Sequence, residues 1–126
     1  MLEIYTNRGG NDIKVTWLGK SKNLHAVWDS AIIENQKLSY TEYANFLNNY
    51  SADTIKLWQS AKYLDWAKDS KAIRANVYNF SEDKELSYQY VFKNTPLLNE
   101  QMSKAGVRLA GMLNKIFKMY AGFKLF

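Results

Sequence analysis

The sequence has 126 residues, a net charge of +5 from 17 Lys and Arg against 12 Asp and Glu, 47% hydrophobic residues and no cysteine. That length holds one domain with a real core but not two ordinary ones, and the balance of apolar and charged residues is that of a globular chain, not a disordered one. No apolar run nears the roughly 18 residues that a membrane span needs, no basic-then-apolar N-terminal segment reads as a signal peptide, and the lack of cysteine excludes disulfides and zinc–thiolate sites.

Residues 12–17, "DIKVTW", alternate, with Ile13, Val15 and Trp17 on one side and Asp12, Lys14 and Thr16 on the other. That is the pattern of a half-buried strand. Gly9-Gly10 before it supply a tight turn, so Leu2 to Thr6 are expected to pair back as a second strand, and Gly19 ends the first strand in a loop. From Asn23, a predicted N-cap, the pattern becomes helical over Leu24 to Asn35. Ser39 and Glu42 form a capping-box pattern that opens a helix over Tyr40 to Asn48. Ser51 or Asp53 caps a third, with Ile55, Leu57 and Trp58 as its buried stripe. Residues 60–79 read as a long helix, broken once, with Tyr63, Leu64, Ala67, Ile73 and Val77 inward. Ser81 opens a segment through Leu86 and the aromatics Tyr88, Tyr90 and Phe92. Thr95-Pro96 then read as N-cap and first residue of a last helix. Its stripe is Leu98, Met102, Ala105, Leu109, Leu113, Ile116 and Tyr120. Gly106 and Gly111 interrupt that helix at about 1 kcal/mol each against Ala, a cost that close helix packing would offset. The reading is therefore mainly α: a helical array with a small β-hairpin near the N-terminus, in one domain spanning residues 1–126.

The basic residues are spread along the chain without a block of five or six. The simplest account is a solubilising surface, with a mild attraction for polyanions that salt would weaken. The stretch "RGGND", Arg8 to Asp12, lacks the G-x-G-x-x-G spacing of a phosphate loop and is better explained as a turn.

The chemistry concentrates in "NLHAVWD", Asn23 to Asp29, which holds the single histidine. His25 and Asp29 stand four apart, so on a helix they share a face. An imidazole nitrogen and a carboxylate at that spacing can meet one zinc. They can equally make a local hydrogen bond or ion pair, which is the commoner outcome of such spacing. A catalytic zinc takes three protein ligands and an open position. With no other His and no Cys, any further ligands must be carboxylates, backbone groups or another chain. Val27 and Trp28 alongside read as core residues.

Three segments together resemble one family: "RGGNDIKVTWLGKSKNLHAVWDSAII" (Arg8 to Ile33), "WAKDSKAIRANVY" (Trp66 to Tyr78) and "KAGVRLAGMLNKIF" (Lys104 to Phe117). They are similar, in order, to the C-terminal half of the zinc-dependent single-strand-specific nucleases. That family includes mould and plant bifunctional nucleases and bacterial relatives, and shares a fold with bacterial zinc phospholipase C. The first segment is the most specific. In the second, Asp69 stands where the family usually has Glu.

The resemblance implies a mainly helical fold with three zinc ions in a cleft, one of them ligated by the residues matching His25 and Asp29. It implies metal-assisted hydrolysis of phosphodiester bonds in single-stranded DNA or RNA, leaving 5′-phosphates. Ser30 would lie at the cleft edge as a possible substrate contact, alongside a purely local role. Full-length members are secreted or periplasmic and about twice this long, with most zinc ligands in the N-terminal half. The resemblance thus casts this chain as a fragment or split subunit, inactive alone. An exposed apolar face would serve a homodimer partner or the missing N-terminal half. The competing readings are a non-catalytic helical interaction module and a phospholipase C-type phosphodiesterase.

Overall fold

A computed structural model of the protein describes residues 7–121. The expected strand at Leu2 to Thr6 lies outside the described residues. The first feature is a 3₁₀ turn, Arg8–Gly10, capped by the Asn7 side chain. It leads into strand β1, Lys14–Trp17, which buries Val15 and Trp17 as the alternation predicts. The chain then reverses through Leu18 and Gly19, both at positive φ (46° and 80°), into β2, Lys20–Asn23. Two consecutive positive-φ residues are the geometry of a tight hairpin turn, and Gly at the second adopts it without a Cβ penalty. The hairpin partner of β1 among the described residues is therefore β2, antiparallel, with Val15 opposite Lys22 and Trp17 opposite Lys20. β2 reads "KSKN", with no apolar alternation to betray it. A two-residue strand β3, Glu85–Leu86, adds in parallel on the other edge of β1.

The first helix, α1, follows β2 directly. It comprises Leu24–Ala26, a π-helical turn Val27–Ala31, and Ile32–Glu34. Asn23 caps it, its side chain accepting from the Ala26 amide at 2.7 Å. Next come α2, Tyr40–Leu47, with the expected Ser39–Glu42 capping box, and α3, Ala52–Ser60, capped by Ser51. The predicted helix over residues 60–79 divides into α4, Tyr63–Ala72, and α5, Arg74–Val77.

The last helix, α6, spans Tyr88–Ala121 and runs straight through Pro96. This corrects the reading of Thr95-Pro96 as a helix start. Tyr90, Val91 and Leu98 are all buried on the same side of the protein, so helical packing begins well before the proline. The neighbouring carbonyls are partly served by side chains: Asn94 Nδ2 donates to Tyr90 O at 2.9 Å and Thr95 Oγ1 to Val91 O at 2.8 Å. The carbonyl that loses its amide partner is that of Phe92, on an exposed face where water can serve it.

One core joins the sheet, α1 and the first part of α6: Val15, Trp17, Leu24, Val27, Ala31, Ile32, Leu86, Tyr90, Val91 and Leu98. The second half of α6 packs on α3 and α4. Gln59 reaches from α3 to donate to Val107 O at 3.3 Å. A Cβ on Gly111 would lie 2.9 Å from Gln59 Cγ, so this glycine does permit the close packing expected of it. Gly106 has nothing within 4 Å of such a Cβ and has no packing role of that kind. Arg108 pairs with Asp69 and stacks over Trp66 at 5.4 Å, with Lys104 Nζ 3.9 Å from the same carboxylate. The Arg108 hydrogen bond, with the two cations beside it, holds the Asp69 carboxyl below its usual range. That cluster links the second and third of the resembling segments, "WAKD" and "KAGVR".

Several residues expected inside are outside. Leu57, Tyr63, Leu64, Leu109, Leu113 and Ile116 are exposed, and Ala67 and Ala105 with them. No described element covers those faces. The side chain of Tyr120, last of the predicted stripe, lies outside the described ones.

Candidate metal site

His25 occupies the first turn of α1, and two features of the sequence fix it there. Asn23 starts the helix, and the Arg8–Gly10 turn lies against its N-terminus. The Asn7 side chain accepts from the Gly10 amide at 2.9 Å and from the Tyr78 hydroxyl at 3.3 Å, which anchors that turn. Arg8 and Asp12 close it from outside, with contacts of 2.5–3.1 Å. Gly10, at φ 92°, lies so close to α1 that an added Cβ would be 3.1 Å from the His25 backbone nitrogen.

The result is that the Gly9 carbonyl stands 3.2 Å from His25 Nδ1. On the other side of the ring, His25 Nε2 stands 3.1 Å from Asp29 Oδ2. The imidazole is thus flanked by oxygen acceptors at both nitrogens. A doubly protonated ring satisfies both by donating twice. A neutral ring that donates from Nε2 bonds Asp29 directly, whereas one that donates from Nδ1 to Gly9 presents the Nε2 lone pair beside a carboxylate oxygen, an arrangement that a metal cation or a bridging water satisfies. A backbone carbonyl on the far nitrogen is one of the usual means of fixing a metal-binding imidazole.

The spacing fits as well. Two tetrahedral ligands about 2.0–2.2 Å from one zinc lie roughly 3.3–3.6 Å apart, within a few tenths of an ångström of the observed 3.1 Å. The His25 and Asp29 side chains are 45% and 72% exposed, so a shared cation and further ligands can reach them. Among the described residues no group of three or more His, Asp or Glu gathers as a metal cluster. The pair itself could supply two ligands to a cation. Ser30, the third expected site residue, donates from Oγ to Ala26 O at 3.0 Å, a local bond that leaves its lone pairs to accept.

Two participants were not foreseen from the sequence. One is the Gly9 carbonyl. The other is Tyr90, whose hydroxyl accepts from Trp28 Nε1 at 2.8 Å and donates to Val77 O at 2.6 Å. Trp28 reaches across 62 positions to this tyrosine, and no local pattern signals such a pairing.

The sequence model of the S1/P1 nuclease family matches residues 2–118. Among characterised relatives, Endonuclease 4 of Arabidopsis thaliana is 30% identical over 129 aligned positions, covering 88% of this chain and 43% of the relative. Endonuclease 2 of the same plant is 30% identical, covering 89% and 44%. Nuclease S1 of Aspergillus oryzae is 29% identical, covering 86% and 46%. The chain thus spans less than half the length of the curated relatives it matches.

Proposed function

The chain belongs to the S1/P1 nuclease family, and on that premise we propose that it forms the C-terminal part of a zinc-dependent endonuclease acting on single-stranded DNA or RNA. Residues 1–126 make up one domain of that enzyme. The observation that carries this reading is the His25–Asp29 pair, with Nε2 and Oδ2 3.1 Å apart and Nδ1 facing the Gly9 carbonyl. His25 would supply a neutral nitrogen and Asp29 a carboxylate oxygen to one zinc. Bound there, zinc supplies the Lewis acidity that activates water and offsets charge on the phosphoryl oxygens, so that hydrolysis leaves a 5′-phosphate. Ser30, one residue beyond Asp29, would accept a hydrogen bond from substrate. The remaining ligands would come from a polypeptide equivalent to the other part of the relatives' length, or from a second copy of this chain. The complete enzyme would work outside the cytoplasm, as full-length members of the family do. Among the described residues no helix is long and apolar enough to cross a membrane.

The test has two arms. The purified chain with zinc should show little or no cleavage of single-stranded DNA, because two ligands do not make a cluster. Adding a polypeptide that carries the rest of the family fold should restore cleavage. His25→Ala or Asp29→Ala should then reduce it by at least about 100-fold, more than the loss of an outer hydrogen-bond partner to a ligand costs. Robust cleavage by the pure chain, abolished in His25→Ala, would sink the claim of an incomplete site. A second reading, a non-catalytic helical interaction module, draws on the exposed apolar side chains along α6. It expects His25→Ala to change nothing, including activity restored by the added polypeptide. Cleavage of phospholipid in place of nucleic acid would mark the phospholipase alternative.

A further inference from the structure

Trp28 lies between the two proposed ligands in sequence, and it turns the opposite way. Its indole N–H donates to the Tyr90 hydroxyl at 2.8 Å, and that hydroxyl donates to the Val77 carbonyl at 2.6 Å. One oxygen therefore ties α1 to α5 and α6. The tie has a fixed direction. An indole nitrogen can only donate and a carbonyl can only accept, so the group between them must do both. The Tyr90 ring is 6% exposed and meets Phe80 edge-on with centroids 6.3 Å apart. Burial pushes the Tyr90 hydroxyl up to about 12, so it keeps its proton throughout the neutral range.

The turn held in this way is an unusual one. Val27–Ala31 is π-helical, with the Ile32 amide bonded to the Val27 carbonyl. Such turns are rare, since the tighter α form is normally preferred, and they persist where surrounding contacts demand them. Here Val27 and Ile32 are fully buried at its two ends, and Trp28 is pinned from the side by Tyr90. Asp29 is the next residue in the same turn. Its carboxylate is 72% exposed, with little packing around it to fix it. Its approach to His25 is therefore inherited from the backbone of the turn.

We propose that Tyr90 is a positioning residue of the metal pair: through the Trp28 indole it fixes the wide turn that holds the Asp29 carboxylate beside His25 Nε2. This rests on the reading of His25 and Asp29 as metal ligands. Tyr90 would touch neither metal nor substrate.

The experiment titrates zinc chloride into the full chain and follows the imidazole ¹⁵N and ¹H resonances, which belong to His25 alone because the sequence has one histidine. Tyr90→Phe keeps the ring and removes only the hydroxyl. It should retain the far-ultraviolet spectrum of the wild type and bind zinc at His25 about tenfold more weakly, the lower end of what loss of an outer-shell partner costs. Trp28→Phe should show a similar loss, and the double variant no further one, since both delete the same link. Trp58→Phe, a buried change on α3 far along the chain, should lower thermal stability and leave zinc affinity unchanged. Should Tyr90→Phe fail to fold, Trp28→Phe, which keeps the Tyr90–Val77 bond, makes the same comparison. Wild-type affinity in either single variant, or losses that add in the double variant, would overturn the proposal. So would an equal loss in Trp58→Phe. His25 resonances of the wild type that ignore zinc even after a polypeptide carrying the rest of the family fold is added would instead overturn the metal reading itself, and this proposal with it.

Discussion

His25 is held by two oxygens of different origin, and only one of them could be read in advance. The Asp29 carboxylate was legible because side chains four apart on a helix face one way. The Asn23 cap that sets the helix start was legible for the same kind of local reason. The Gly9 carbonyl was not, because every residue has a carbonyl and nothing in the sequence marks the one that will matter. What marks it in the structure is Gly10. At φ 92° a side chain is strained wherever it sits, and here it would also press on the His25 nitrogen at 3.1 Å and Leu24 Cβ at 3.4 Å. Gly10→Ala should therefore lower stability by about 1–3 kcal/mol from backbone strain alone. It should also displace the turn that carries the Gly9 carbonyl. The expected outcome is a lower denaturant midpoint, together with a change in the His25 ring resonances of the metal-free chain. A variant with the wild-type midpoint would show that the turn gives way freely and does not orient the imidazole.

At the level of elements, the sequence signals failed where local chemistry and tertiary burial disagreed. Thr95-Pro96 is a proper helix-start pattern taken alone, yet α6 begins at Tyr88 because Tyr90, Val91 and Leu98 share one buried side. β2 was invisible because "KSKN" has no apolar alternation, and β3 because two residues show no period at all. The cap at Asn23 and the capping box at Ser39 are legible because each is complete within four residues, and of the two candidates Ser51 and Asp53 it is Ser51 that caps α3. The proline leaves a testable residue of this conflict. Inside a helix it removes one amide and crowds the carbonyl four residues back, at roughly 3 kcal/mol against Ala. Water can serve the freed carbonyl of Phe92 on its exposed face, so part of the cost is already offset. Pro96→Ala should accordingly stabilise the protein by about 1–2 kcal/mol, seen as a raised denaturant midpoint with an unchanged slope. A lower midpoint would mean that packing around α6 is built on the proline geometry and would remove the idea of strain there.

Across the whole molecule, the core lies between the sheet, α1 and the first part of α6, and one of the apolar faces left outside it runs along the later turns of α6. The sheet, α1 and the first part of α6 bury one another, whereas Leu109, Leu113, Ile116 and Phe117 on the later turns of α6 are 42–56% exposed. The first three follow one helical row by their spacing of four and three. Tyr63 and Leu64 at the start of α4 are exposed too. Apolar area left in water is worth about 25 cal/mol per Å² when covered, so this face should find a partner. In a pure preparation the available partner is a second copy, and sedimentation velocity should show a mass that rises with protein concentration. Leu113→Lys combined with Ile116→Lys should return the chain to a monomer without loss of helical signal, because both side chains are already partly in solvent. Salt separates this association from the nucleic-acid reading. Each copy carries a net charge of +5, so salt screens repulsion between copies and should strengthen self-association. Binding to single-stranded nucleic acid releases counterions and must weaken over the same range. A polypeptide carrying the rest of the family fold should compete for the same face, abolishing self-association as cleavage appears. A wild-type chain that stays monomeric at high concentration and high salt would rule out this face as a self-association surface.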